Sequence, residues 1–203
     1  MSTCSRALAY DPIHTAVVSP PQSLRDESLK DLDRNRSAAY PIVRRLGADP
    51  LMPQFTICPA RPADREAVVA RLVNQADEFG SLTPRHCLGQ VVDLWLENEG
   101  PGFVMVAKVN EDIVGVAAVA TITSVHYAGR VAWLEELYVL RDWRQQGVGT
   151  ALVNAVLQRA QEFGMVAVGL DVDARNERVN SLYDRLGFSR VPRSTWVKEF
   201  GSK

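Results

Sequence analysis

The run Arg144-Gln145-Gln146-Gly147-Val148-Gly149, followed by Thr150, places a cation, two glycines and a hydroxyl in one short stretch. It lies between an apolar, strand-like segment (131–139) and a helical periodicity from Gly147 to Phe163. A helix start leaves N–H groups unpaired and carries partial positive charge. Together these bind phosphate. Glycines at 147 and 149 remove Cβ atoms where a pyrophosphate would approach. Thr150 adds a hydroxyl and Arg144 a cation. A glycine-started helix with a surface arginine is the plainer alternative. A Walker loop is excluded, because Gly149-Thr150-Ala151 lacks its lysine. A dinucleotide fingerprint needs a third glycine where Leu152 stands. Asp171 lies at a suitable distance for that rival, but too little chain follows to build its second half.

The elements that must position this loop begin at Phe55. Phe55–Cys58 predicts a short strand. Pro62-Ala63-Asp64 opens a helix to Phe79 with Val68, Val69, Leu72 and Val73 on one side. Thr83 caps a second helix with Pro84 at its first position and Leu88, Val91, Val92 and Trp95 as its apolar stripe. Strands are predicted at 103–109 and 113–125, joined at Asn110-Glu111-Asp112, and at 131–139. After the long helix, 165–172 reads as a strand buried on both faces. Asn176–Leu186 is a helix closed by Gly187, and 188–191 and 194–200 finish as short strands.

Residues 1–54 hold six of the eleven prolines and a mixed charge run from Arg25 to Arg36. They are expected to form a disordered or loosely attached extension, with at most a weak helix over 23–46. A translation start at Met52 and a docking arm for a partner are the other readings. The domain proper is expected at 55–203. Hydrophobic residues make up 46% of the 203, and the net charge is −1. That balance points to neither nucleic acid nor an anionic membrane. Cys4, Cys58 and Cys87 show no paired spacing, so neither a disulfide framework nor a metal site is expected. Asp11, Pro12 and His14 interrupt any apolar leader, and a soluble, cytoplasmic protein is expected.

Three segments in this order resemble the motifs of the GNAT superfamily of N-acetyltransferases. Arg144–Gly149 resembles its acetyl-CoA pyrophosphate motif, Arg/Gln-x-x-Gly-x-Gly/Ala. Leu134-Glu135-Glu136-Leu137-Tyr138-Val139 looks like its central strand. The stretch from Asn176 through Tyr183 to Phe188 looks like its second motif. The resemblance covers roughly residues 55–200 and is nearest in motif to polyamine and diamine acetyltransferases. It implies a mixed α/β (α+β) fold, with a mostly antiparallel twisted sheet of six to seven strands and about four helices. It implies acetyl-CoA as co-substrate, no metal, and direct acetyl transfer without an acyl-enzyme. Backbone groups of Leu137, Tyr138 and Val139 would pair with pantetheine, one N–H would polarise the thioester carbonyl, and Asn176 would hold the cofactor. Tyr183, two helical turns after Asn176, would protonate the leaving thiolate.

Direct transfer needs a neutral amine and hence a general base. Alternation puts Val131, Trp133, Glu135, Leu137 and Val139 on one strand face, where Glu135 is the sole polar residue. A carboxylate among apolar groups has a raised pKa, which suits a base. The alternative is a bulge that turns Glu135 to solvent. Glu136, sharing its face with Ala132, Leu134 and Tyr138, is the second candidate. Asp77 to Ser81, Glu97, Glu99 and Ser124 to Tyr127 offer acidic and aromatic groups for a small cationic amine. A protein lysine or N-terminus is the next acceptor class. A non-catalytic acyl-CoA-binding module is the reading outside enzymes, and a nucleotide-dependent oxidoreductase is a third. Pairing as a homodimer through the last strands, with Trp196 on the final one, is also expected.

Overall fold

The structure is a computed structural model of the 203-residue chain, and it describes residues 42–44, 54–80, 84–172, 177–192, 196–198 and 200. Contacts divide the chain after Ala38, and every described residue lies in the second unit, Ala39–Lys203. Six strands lie in one sheet in chain order: β1 (Ile42–Arg44), β2 (Phe55–Pro59), β3 (Gly102–Val109), β4 (Asp112–Ser124), β5 (Gly129–Val139) and β6 (Ala167–Leu170). All neighbours run antiparallel except β5 and β6, which are parallel. Among the described residues four α-helices cover the sheet: α1 (Arg65–Phe79), α2 (Arg85–Glu97), α3 (Val148–Glu162) and α4 (Glu177–Arg185). Among the described residues no helix is long and apolar enough to cross a membrane.

Each sheet face has its own core, as strand alternation requires. On one face, Val68, Val69 and Leu72 of α1 and Val92 and Trp95 of α2 pack on Val104, Val106, Ile113, Val116, Ala118 and Tyr138. On the other, Val148, Ala151, Leu152, Ala155 and Val156 of α3 pack on Phe103, Met105, Ala117, Val119, Ala132 and Leu134. Tyr183 of α4 joins this second core. A mostly antiparallel sheet with one parallel pair is not a doubly wound nucleotide fold, so the oxidoreductase reading fails on topology.

Several expectations change. Ile42–Arg44, in the stretch expected to be at most weakly helical, is a strand paired with Phe55–Ile57. The rest of the expected extension lies outside the described residues. Thr83 does too, and Pro84 stands at the N-cap of α2 rather than inside it. Val91 is 44% exposed, because α2 turns a narrower stripe to the sheet than its apolar residues suggest. The strand β6 is four residues long and only half-buried. Its Gly169 sits under Trp133: a Cβ there would stand 2.4 Å from the indole. Phe188–Val191 and the described residues between 194 and 200 form no strand, and Val191, Trp196, Val197 and Phe200 are exposed. Apolar alternation makes a strand only where a sheet edge accepts it, and no described strand does so here.

Leu152 is fully buried beneath the sheet. Leu152→Ala is expected to lower unfolding free energy by about 2–5 kcal/mol in a denaturant titration. A loss under about 1 kcal/mol would mean that α3 does not anchor the second core.

Candidate active site

The site is organised by an irregularity in β5. Ala118 of β4 pairs with Glu136 and the adjacent Val119 pairs with Leu134, so Glu135 has no partner. This extra residue is a β-bulge, and it shifts the side-chain parity of everything after it. Before it, Ala132 and Leu134 face α3; after it, Leu137 and Val139 pack into that same core while Tyr138 is buried on the α1 face. The single face expected for Val131, Trp133, Glu135, Leu137 and Val139 is thus broken at its centre.

Pairing between β5 and β6 ends at Leu134–Leu170, immediately before the bulge. Beyond it, β5 continues beside β4 alone. Leu140 donates its N–H to the Val114 carbonyl across β4 at 2.9 Å. Backbone direction alternates along a strand, so the polar groups of Leu137 and Val139 point to the opposite edge, which β6 has left. Among the described residues no strand pairs with that edge beyond Leu134.

Glu135 and Glu136 follow directly where that pairing ends, both exposed to solvent. Partial burial raises the Glu135 pKa. Burial and then the charge of Glu135 raise that of Glu136, against a lowering hydrogen bond from Gln75. Gln75 of α1 is 8% exposed and donates its Nε2 to Glu136 Oε2. Its own Oε1 is buried without a partner. Sequence reasoning missed Gln75. Its signal was a polar residue in the stripe that runs Val68, Leu72, Gln75 at helical spacing.

After Val139 a 3-10 turn (Arg141–Trp143) leads into the tight turn Arg144 to Gly147. Gln145 and Gly147 have φ of 66° and 79°, the left-handed region in which backbone N–H groups converge on a concave side. Gln146 Nε2 donates to the Asp142 carbonyl at 2.6 Å and braces the turn. Buried Val148 anchors the first turn of α3, whose first backbone bond runs from Ala151 N–H to the Gly147 carbonyl. No side chain caps the helix, so the N–H groups of Val148, Gly149 and Thr150 have no intrahelical partner. Gly149 is demanded neither by backbone nor by packing. A Cβ there would meet nothing nearer than Val139 Cγ2, at 4.0 Å. Glycine in a helix costs about 1 kcal/mol against alanine. An open face at an uncapped helix start fits the close approach of an anion.

Arg144 is engaged by protein groups. Its Nε donates to the Val139 carbonyl at 2.7 Å, and its Nη2 donates to both Glu78 oxygens at 3.0 and 2.9 Å. Tyr138 Oη and Arg141 Nε also donate to Glu78, at 3.1 and 3.3 Å. Arg144, then Tyr138, hold the Glu78 carboxyl below its ordinary pKa. The sequence placed Glu78 among acceptor-binding groups; its carboxylate is instead engaged by the loop.

Tyr183 is 8% exposed, meets Phe188 edge-on at 5.4 Å between ring centres, and has its pKa pushed up to about 12 by burial. It packs in the core into which Leu137 and Val139 also pack. Glu136, reached from α1, and the phenol thus belong to opposite faces of the sheet. Asn176 lies outside the described residues, as do Ser81 and the side chain of Phe79. Other proposed acceptor groups are not gathered here. The hairpin tip with His126 and Tyr127 is about 20 Å from Glu135, at ~3.3 Å per residue along β5. Glu99 pairs with Arg159 at 2.9 Å, and Glu97 is exposed. Cys87 Sγ lies 3.4 Å from Nε2 of adjacent His86.

The model of the Acetyltransferase (GNAT) family matches residues 71–188. An aminoglycoside N(6')-acetyltransferase type 1 of Acinetobacter genomosp. 13 is 35% identical over 34% of this chain and 47% of its own length. N-alpha-acetyltransferase 30 of Schizosaccharomyces pombe is 31% identical over 47% of this chain and 63% of its own. The chain spans less than two thirds of the length of these curated relatives, and 19% of a Propionibacterium freudenreichii mycothiol acetyltransferase. An aminoglycoside N-acetyltransferase solved in complex with CoA superposes with a TM-score of 0.64 at 18% identity, over 74% of this chain and 98% of that one. That likeness is one of fold.

The Tyr183 shift gives a test of the site's burial. The folded pKa, about 12, exceeds the ordinary 10.0, so the neutral form is favoured in the folded state. Its contribution is fully present below pH 10.0 and is lost as pH rises toward 12. Alkaline unfolding should show a loss of roughly 2–3 kcal/mol over that window, absent in Tyr183→Phe. Equal alkaline slopes in both proteins would place the phenol in water.

Proposed function

The chain belongs to the GNAT family of acetyltransferases, and from that premise we propose that it transfers an acetyl group from acetyl-CoA directly to the primary amine of a small cationic acceptor, a polyamine or diamine being the nearest class. The observation that carries this reading is the bulge at Glu135, where two carboxyls of raised pKa meet an unpaired strand edge. The thioester supplies an acetyl group already activated toward amines. The N–H groups of Val148, Gly149 and Thr150 hold the pyrophosphate. Arg144, Gln145, Gln146 and Gly147 shape the turn that presents them. The edge groups of Leu137 and Val139 bind the pantetheine arm, and Tyr138 fixes the strand between them. Asn176 keeps the cofactor-holding role its motif implies.

At neutral pH about 1 in 10³ of an alkyl amine is uncharged. Glu135 takes the ammonium proton, directly or through water, and its raised pKa makes it a stronger base. Glu136, held by Gln75, keeps the mouth electronegative for a cation. The Leu137 N–H donates to the carbonyl oxygen as charge develops. Tyr183, fully protonated at neutral pH, gives its proton to the sulfur as the C–S bond breaks, and the proton shed by the newly acylated nitrogen restores it. Base and acid on opposite faces of the sheet suit two substrates that meet at the unpaired edge of β5.

The direct test is thiol release from acetyl-CoA across a panel of diamines, polyamines, aminoglycosides, amino acids and peptide N-termini. Turnover with the small polycations supports the proposal. Preference for the peptides would move the acceptor to protein N-termini, and CoA binding without turnover on any amine would overturn the activity. Glu135→Gln and Tyr183→Phe are each expected to lower kcat about 10²-fold. The base works deprotonated, so activity should rise with pH along a limb above the ordinary carboxyl value of 4.5, and Glu135→Gln should flatten that limb. Wild-type kinetics in both variants would remove these roles. Gly149→Ala should raise the melting temperature of the free protein while weakening CoA binding; unchanged affinity would mean the open face is not a binding surface.

A further inference from the structure

We infer that Glu78 is a positioning residue for donor binding: it holds Arg144 against β5, and so sets the shape of the turn that feeds α3. This inference rests on the acetyl-CoA reading above and adds to it a residue from the acceptor-side helix.

The geometry makes Glu78 a hub. One carboxylate accepts from Arg144 at both oxygens, from the Tyr138 hydroxyl and from Arg141. It therefore joins the last turn of α1 to the end of β5 and to the loop in between. Arg144 completes the tie by donating Nε to the Val139 carbonyl, on the edge that β6 leaves open. Its guanidinium also lies 5.4 Å from the centre of the Tyr138 ring. With Nε and Nη2 fixed on two partners, the guanidinium plane is set, and so is the start of the turn that carries Gln145 and Gly147 through positive φ.

The placement of Glu78 is not one that helix stability favours. Asp77 and Glu78 occupy the last turn of α1, where the helix dipole disfavours acids, and no basic residue of α1 stands there to offset them. The compensating cations come from the loop. The Glu78 side chain is a quarter exposed and that of Arg144 37%. A single pair so placed is weak, whereas a two-oxygen contact inside a four-residue network holds its geometry better.

Two roles for Arg144 predict opposite results. If Arg144 binds the pyrophosphate itself, Glu78 competes with that anion, and Glu78→Gln should tighten CoA binding. If Glu78 and Arg144 position the turn together, Glu78→Gln should weaken it. Calorimetric titration of the full chain with CoA measures this directly. We expect Glu78→Gln and Arg144→Gln each to weaken binding about tenfold, and the double variant to be no weaker than either, as for residues acting as one unit. Glu78→Asp, which keeps the charge, should recover part of the loss. In kinetics the KM for acetyl-CoA should rise while kcat and the acceptor KM stay within about twofold. Tighter or unchanged CoA binding in Glu78→Gln overturns the inference, as does an acceptor KM that rises in place of the acetyl-CoA KM. Absence of CoA binding in the wild-type chain instead overturns the donor reading on which it rests.

Discussion

One extra residue in β5 determines how the rest of the site is built. Glu135 has no partner on β4, and the strand changes parity there. Three consequences share that cause. Leu137 and Val139 turn their side chains into the α3 core, anchoring the strand end. Tyr138 goes to the α1 face, within reach of Glu78. The parallel ladder to β6 stops at Leu134, and beyond it the edge loses its strand partner, the Val139 carbonyl accepting from Arg144 in its place. Unpaired strand edges are ordinarily a liability. This one is short and is flanked by charged groups.

A second constraint acts at the start of α3. Uncapped N–H groups and a glycine in the first turn both lower helix stability, yet neither is offset locally. The helix is held elsewhere, by Val148, Leu152 and Val156 against the sheet. Core packing thus lets the helix tip remain open. The same division appears on α1, where Val68 and Leu72 fix the helix while Gln75 and Glu78 at its far end engage β5 and the loop. Stability comes from the apolar end of each element, and chemistry is placed at the other.

The two cores also separate the candidate groups. Glu136 is reached from α1 and Tyr183 packs on the α3 side of the sheet. Their environments differ: two carboxyls partly in water, and a phenol shielded by Phe188 and its neighbours.

Local chemistry was legible in the sequence wherever it depends on neighbours along the chain. The glycine-marked turn, the long helix behind it, the apolar stripe of α1 and the apolar runs of β3 and β4 all follow from periodicity and backbone preference. They mark the candidate loop, while the fold class followed from the resemblance that three motif segments carry. Alternation misplaced Glu135, because a bulge is set by pairing with β4 and leaves no mark in a single strand's pattern. It also offered strands beyond Phe188 that have no described edge to join. Arg144 looked free for an anion because its partner Glu78 lies 66 positions away in the chain. Gln75 passed unnoticed because its partner Glu136 lies 61 positions away in the chain. The sequence by itself determined which groups are present and which local backbone shapes they favour. Only the tertiary structure decided which charges meet, because strand register and helix placement are settled by packing across the whole sheet.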